Sequence, residues 1–416
     1  MAYYQIFPEI DSTIYSHPDR LHLNTGHDEI LEVVKEKGTS DQKHYPSRIL
    51  IKFSNEDLTE VVKNVIGSSD FNLKTTCSLQ LTSTEPKNLT QILNLQAFAV
   101  SQSWQEGSGR YGNLPTGSDG VSWINRHSSQ NINKWIKPGA GIAFSVITDS
   151  SASSNGFVIG DYLEDQTGSP SYMIAGTTGS ISSSNITQGG GMWYTGSGFE
   201  ANQQFLFGDN LDINMKVTDI VKKHSASLFS SQIYPDGVTN YGFLLKQPDT
   251  VEANTTSSFG EMQYFSVETK TIYPPALCFK WDDSVHKKQN KAKQSGELNV
   301  SLYRNRSEYN QNDVAVFRIH VRDKHPKREF STTSNYLNVG YFTTASYYSI
   351  RDAHSERIII PFDHNNTKLS ADGDGMYFKV YMKGLQPERY YRVLFKHINE
   401  ESTTIYDDDY YFKIVR

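Results

Sequence analysis

Apolar and polar side chains alternate strictly in short runs all along the chain, and this feature most limits its fold. Leu93-Asn94-Leu95-Gln96-Ala97-Phe98-Ala99-Val100 is one such run, and Val314-Ala315-Val316-Phe317-Arg318-Ile319-His320-Val321 is another. Period two places one set of side chains on each face of a pleated strand, so such runs predict sheets with one face packed and one wet. The composition agrees. Aromatics reach 12%, led by 25 Tyr and 21 Phe, and Tyr, Phe, Thr and Val fit a half-buried pleated surface better than a helix. One short helix is expected over Asp57–Ile66, where apolar residues fall at helical spacing and Gly67 ends the pattern.

The chain is expected to be all-β in two parts. Residues 1–283 read as many short strands, among them Ile30–Val34 and Arg48–Phe53, with an insertion at about 136–208. That insertion is rich in Gly, Ser and Thr, including Gly139-Ala140-Gly141, Asp149–Ser154, Gly176–Gly179 and Gly189–Gly191. Long excursions of this kind are functional, mobile or decorative. A polar, Lys-rich run beginning at Asp282 and covering 284–296 reads as a linker. Residues 297–416 return to alternation and suit one sandwich of the immunoglobulin or fibronectin kind.

Several function classes find little in the sequence. The net charge of -6 offers no general basic surface for nucleic acid. Met1–Pro8 has neither the charged nor the apolar region of a secretory signal, and no apolar stretch approaches the ~18 residues a membrane span needs. Cys77 and Cys278 each sit in alternating runs and are expected to be buried thiols, with a bridge between them left open. No nucleophile elbow, Walker loop, zinc-protease motif or dinucleotide fingerprint is present, and no cofactor or metal is expected. Asp372-Gly373-Asp374-Gly375 lacks the further ligands of a calcium loop and reads as a hairpin turn. Asp407-Asp408-Asp409 reads as a solvated turn. The acidic residues are numerous enough to hide a glycosidase pair, but no spacing singles one out.

Aromatics in the insertion are the remaining signal. Trp135, Trp193 and Tyr194 lie among glycines, where a core role is hard to supply, so they are the candidate protein-interface or glycan contacts.

Residues 1–283 also resemble the DNRLRE-type jelly-roll domain, a carbohydrate-binding-module-like sandwich. The likeness is carried in order by Asp11–Tyr15 with Asn24-Thr25-Gly26 and Ile30–Val33, then Ser47–Phe53, Trp104, and Gly120–Arg126 with Trp123. Val217–Val221 and Asn240–Leu245, which resemble late strands, and Phe265–Glu268 with Pro275–Leu277 complete it. Physically these motifs read as architecture: Arg48, in a strand beside apolar neighbours, is expected to pair with a carboxylate at a sheet edge, Asp219 to bond backbone N–H groups of its own turn, and Trp104 and Trp123 to anchor the core. Gly384–Tyr391 resembles the Leu-x-Pro-x-x-x-Tyr turn of fibronectin-like domains, implying that Tyr391 caps backbone groups while Tyr390 faces away. Together these resemblances imply a non-enzymatic component of a bacteriophage virion, in the tail, neck, collar or baseplate. Such a protein would assemble in the host cytoplasm, in multiple copies within a symmetric particle, with other virion proteins as partners. The alternative is a carbohydrate-binding adhesin that recognises a host surface glycan.

Overall fold

The computed structural model describes residues 2–39, 42–84, 87, 92–112, 119–127, 135, 190–206, 208–228, 237–252, 254, 260–287, 298–303, 305–325, 330, 332, 340–399 and 402–416, with the backbone of 157–160, 163–164, 170–171 and 292–293. The glycine- and serine-rich runs expected at 139–141, 149–154 and 176–179 lie outside the described residues, as does much of 284–296. The protein is all-β, built from several mostly antiparallel sheets in a sandwich architecture. It divides into two compact units, one of Ile6–Ser68 and Cys77–Leu277, the other of Met1–Gln5, Ser69–Thr76 and Cys278–Arg416.

The first unit is organised around a sheet in which Glu200–Leu206, Ile92–Ala99, Phe243–Lys246, His44–Phe53 and Pro8–Tyr15 lie side by side. Its inner strands are buried on both faces. Arg48-Ile49-Leu50-Ile51 and Phe243-Leu244-Leu245-Lys246 expose almost nothing, whereas simple alternation would leave one face wet. Cross-strand pairing puts Leu244 opposite both Leu50 and Phe98, and Ile14 opposite Arg48. That face is roofed by Trp104, Val121, Trp123, Trp135, Met192 and Trp193. The opposite face carries Phe53 and Phe243, whose rings meet edge to face at 5.9 Å, with His224 against Phe243 at 5.4 Å.

His224 comes from a helix, Thr218–Leu228, that begins where the likeness to a late strand predicted extended chain. Val217, Ile220, Val221 and His224 are all buried, a spacing that describes one helical face and that five residues alone cannot distinguish from a strand. The helix predicted at Asp57–Ile66 forms as Asn55–Thr59 continuing into a wider π turn, Glu60–Ile66. Ser54 accepts a hydrogen bond from the Glu56 N–H at its start, and Gly67 ends it at φ +89°.

The second unit pairs two sheets. Leu298–Tyr303, Val314–Asp323, Gly375–Tyr381 and Ser370–Asp372 form one; Glu308–Asn310, Thr403–Val415, Tyr390–Ile398, Ser346–Asp352 and Ile358–Ile360 form the other. Aromatics fill the space between. Phe378 stacks on Phe317 at 5.1 Å and on Tyr348 at 4.2 Å, and Phe412 lies 5.2 Å from Phe317. The heavy Tyr and Phe content is therefore largely core material. At the corner before Tyr390–Ile398, the buried Tyr391 donates its hydroxyl to the Gln386 carbonyl at 2.8 Å, while Tyr390 stays exposed, as the Leu-x-Pro motif implied. Gly373 and Asp374 form the hairpin tip between paired Asp372 and Gly375. Asp407–Asp409, read as a turn, instead lie inside the strand Thr403–Val415 at a bulge, where Arg392 draws in Asp407 and Asp409.

Candidate functional site

The strongest concentration of unspent chemistry in the first unit is a group of three carboxylates. Ligand-type atoms of Asp11, Glu106 and Glu268 all lie within 4.8 Å of one another. Asp11 is 1% exposed, on the strand Pro8–Tyr15, two residues past its bulge at Glu9. Its N–H donates to Glu106 Oε1 at 3.0 Å, and its own Oδ2 accepts from the Val267 N–H at 2.8 Å. Among the described residues, neither Asp11 Oδ1 nor Glu268 Oε2 has a hydrogen-bond partner, though both atoms are buried. Buried carboxylate oxygens without donors are costly, so this arrangement calls for a charge-compensating species.

The turn Asn24-Thr25-Gly26 sets the position of Glu106. The Asn24 amide donates to the Glu106 carbonyl at 2.5 Å and to the Val121 carbonyl at 2.8 Å, and its oxygen accepts from the Gly109 N–H at 2.8 Å. A Cβ at Gly26 would sit 2.4 Å from the Glu106 carbonyl oxygen, and one at Gly107 (φ +82°) 2.5 Å from the Asn24 oxygen. Only glycine lets these two segments meet so closely. The motif quoted for the jelly-roll likeness thus works locally as a cradle for an acidic side chain.

The electrostatics follow from crowding. Burial holds Asp11 well above the ordinary carboxylate range against the pull of the Val267 N–H, and the charges of Glu268 and Glu106 add to the rise. Burial pushes Glu106 up to about 7, opposed by its hydrogen bond from the Asp11 N–H and reinforced by Glu268 and Glu9. Glu268 is also raised by burial, while His27 and Arg110 pull it back. Burial of a carboxylate acts in this way, with like charges adding to it at Asp11 and Glu106.

A second feature is an open, polar cleft of about 680 Å³ bordered by Arg20, Glu32, Glu36, His44, Tyr111 and Gln263. Glu36 accepts from Arg20 and, at 2.7 Å, from the Tyr111 hydroxyl, and the Arg20 guanidinium lies 4.3 Å over the Tyr111 ring. Tyr111 is 39% exposed. Sequence reasoning did not single out Tyr111, because one Tyr in a polar loop carries no pattern.

The aromatics chosen from sequence fall elsewhere. Trp135, Trp193 and Tyr194 are 0%, 2% and 7% exposed, which corrects their reading as surface contacts. Trp135 donates its indole N–H to the Ser122 carbonyl at 2.9 Å, Trp193 lies 5.7 Å from Phe98, and Tyr194 lies 5.2 Å from Phe199. The physical reason is the sheet buried on both faces, which needs a roof that the glycine-rich segment supplies. Beneath that roof Arg48 pairs with the Glu252 carboxylate, both 0% exposed, under Trp123 at 4.7 Å and Trp193 at 5.3 Å. The pairing with a carboxylate is as expected, but the strand is internal rather than at a sheet edge. Trp104 and Trp123 belong to the core as anticipated. Cys77 and Cys278 are buried thiols that are not joined in a disulfide.

No family model, curated protein or solved structure matches this chain. Among the described residues, no helix is long and apolar enough to cross a membrane.

Proposed function

We propose that this chain is a non-enzymatic structural component of a bacteriophage particle, acting through protein–protein contacts. On this reading its first part is a jelly-roll of the DNRLRE kind and its second a fibronectin-like sandwich. The observation that carries the assembly reading is the outer face of the strand Val314–Asp323. Its inward residues Ala315, Phe317, Ile319 and Val321 are buried, yet on the outward face Val314 and Val316 are 54% and 44% exposed. Tyr303, on the neighbouring strand, is 49% exposed. Aliphatic and aromatic side chains grouped on the wet face of a well-packed sheet suit a contact surface. The Tyr391 corner supports the fibronectin-like assignment.

The test is direct. An antibody against this chain should label purified particles at regular positions under the electron microscope, and the chain should appear in them at fixed stoichiometry. Particles that lack it, with the chain recovered only from the soluble fraction, overturn the reading. The double variant Val314→Lys, Val316→Lys should fold but fail to enter particles.

One observation favours a second reading, a glycan-binding surface protein: the polar cleft with the half-exposed Tyr111 at its border. Polar hydrogen-bonding groups beside an aromatic ring suit a sugar. Binding to a polysaccharide panel that is lost in Tyr111→Ala would support it. Burial of Trp193 removes that residue as the sugar platform.

A further inference from the structure

We propose that Asp11, Glu106 and Glu268 form a binding site for a single calcium ion, which ties together three segments distant in the sequence. The donor set is all oxygen, with no thiol or imidazole among its members, which is the chemistry of a hard cation. Ligands of one calcium ion at ~2.4 Å stand no farther apart than about 4.8 Å, and these three carboxylates meet that limit. The smaller magnesium ion, with ligands at ~2.1 Å, draws its donors closer and retains more of its water.

The acidic cluster does not stand alone as an argument. Asp11 Oδ1 is a buried oxygen without a donor, on a side chain 1% exposed, and Glu268 contributes a second such oxygen. The Asp11 Oδ2 and Glu106 Oε1 atoms are engaged by the Val267 and Asp11 N–H groups. These bonds fix the carboxylates in place while other oxygens stay open for an ion. The Asn24–Gly26 cradle holds the Glu106 backbone independently of any ligand, so the site is preorganised. A dication here would replace the mutual repulsion of three carboxylates with attraction and would lock the strand Pro8–Tyr15 to the segments around 106 and 268.

The full chain, stripped with a chelator and exchanged into chelator-free buffer at pH 7.5, provides the test. Calcium chloride titrated by calorimetry should give one site per chain, and saturating calcium should raise the melting temperature by several degrees. Glu268→Gln and Glu106→Gln, each checked for native circular dichroism, should weaken calcium binding at least tenfold and abolish the thermal shift. Both side chains are only partly buried, and a Gln at 106 can still accept the Asp11 N–H, so both variants should fold. Absence of both heat and thermal shift in the wild-type chain overturns the proposal, as does a calcium response that survives in both variants. A magnesium response as large as the calcium response overturns the assignment to a calcium-sized site.

Discussion

Arg48 and Glu252 meet side on in the interior of the first unit, with Nε 3.2 Å from Oε1 and Nη2 2.5 Å from Oε2, and no part of either side chain reaches solvent. The Gly190 carbonyl takes a further guanidinium N–H at 2.7 Å, and the Lys246 ammonium lies 3.1 Å from Glu252 Oε2. One carboxylate therefore compensates two buried cations, with Asp249 helping Lys246 from the surface side. Removing the charge of Glu252 takes the carboxylate from Arg48 and leaves Lys246 to Asp249 at the surface. Glu252→Gln should lower stability by ~3–5 kcal/mol, the range for breaking a buried pair from one side. Chemical denaturation measures it, and a loss below about 1 kcal/mol would show that water reaches the site. Gly190→Ala should also destabilise, because its Cβ would lie 2.5 Å from the Arg48 guanidinium and its φ is +87°.

The hydroxyl of Tyr391 makes a smaller but more local contribution. Its bond to the Gln386 carbonyl closes the corner that leads into the strand Tyr390–Ile398. Tyr391→Phe keeps the ring against Phe412, at 5.5 Å, and deletes only the hydrogen bond. A loss of ~1 kcal/mol is expected, read as a lower denaturation midpoint at unchanged slope. Tyr390→Phe, one residue away and exposed, should change nothing measurable, and equal effects from the two variants would refute the corner assignment.

How much of this was legible in the sequence differs by element. The alternation of Val314–Val321 gave its strand and its buried face, and Leu385-Gln386-Pro387 with Tyr391 gave the corner, because both are signals local to the chain. Trp135 and Trp193 went wrong for a non-local reason. Glycine-rich surroundings suggested exposure, whereas the sheet beneath presents Leu50, Leu244 and Arg48 on a face that must be covered. The run Arg48-Ile49-Leu50-Ile51 could have signalled this, since near-continuous apolar sequence marks a strand buried on both sides. The carboxylate group was not readable at all. Asp11, Glu106 and Glu268 are far apart in sequence and become neighbours only through the Asn24 turn and the Val267 backbone.

Burial governs the two cysteines. The Cys278 thiol is pushed up to about 11, chiefly by burial, and lies 3.1 Å from the equally buried Tyr3 hydroxyl. Thiolate is the reacting species, so the native protein should react with a maleimide or aromatic disulfide only at the rate of its unfolding. In denaturant, two thiols per chain should titrate at once. A fast phase of one thiol in the native state would mean that one of these strands opens locally.

The pH dependence of stability should separate the calcium site from the rest of the molecule. Glu106, raised to about 7 in the folded state, binds its proton more tightly folded than unfolded, so its contribution is full below the ordinary carboxylate value near 4.5. That contribution fades as pH rises through about 7. Asp11 and Glu268, also raised, act in the same direction; Glu9, His27 and Arg110 complete the charged groups that act on the cluster. Buried His224, pushed down to about 3, acts in the opposite direction, since its neutral ring favours folding less as pH falls below 6.5. Comparing wild type with Glu106→Gln at each pH, both in chelator, cancels His224 and the other groups that Glu106 does not act on, leaving Glu106 and its neighbour Asp11. The variant should gain on the wild type steadily from about pH 4.5 to 7 and hold its lead above that. Calcium should reverse the order at pH 8, above the value of about 7 to which Glu106 is raised, where that carboxylate can bind it. A difference between the two proteins that stays flat across this range would mean that Glu106 titrates as an ordinary surface acid.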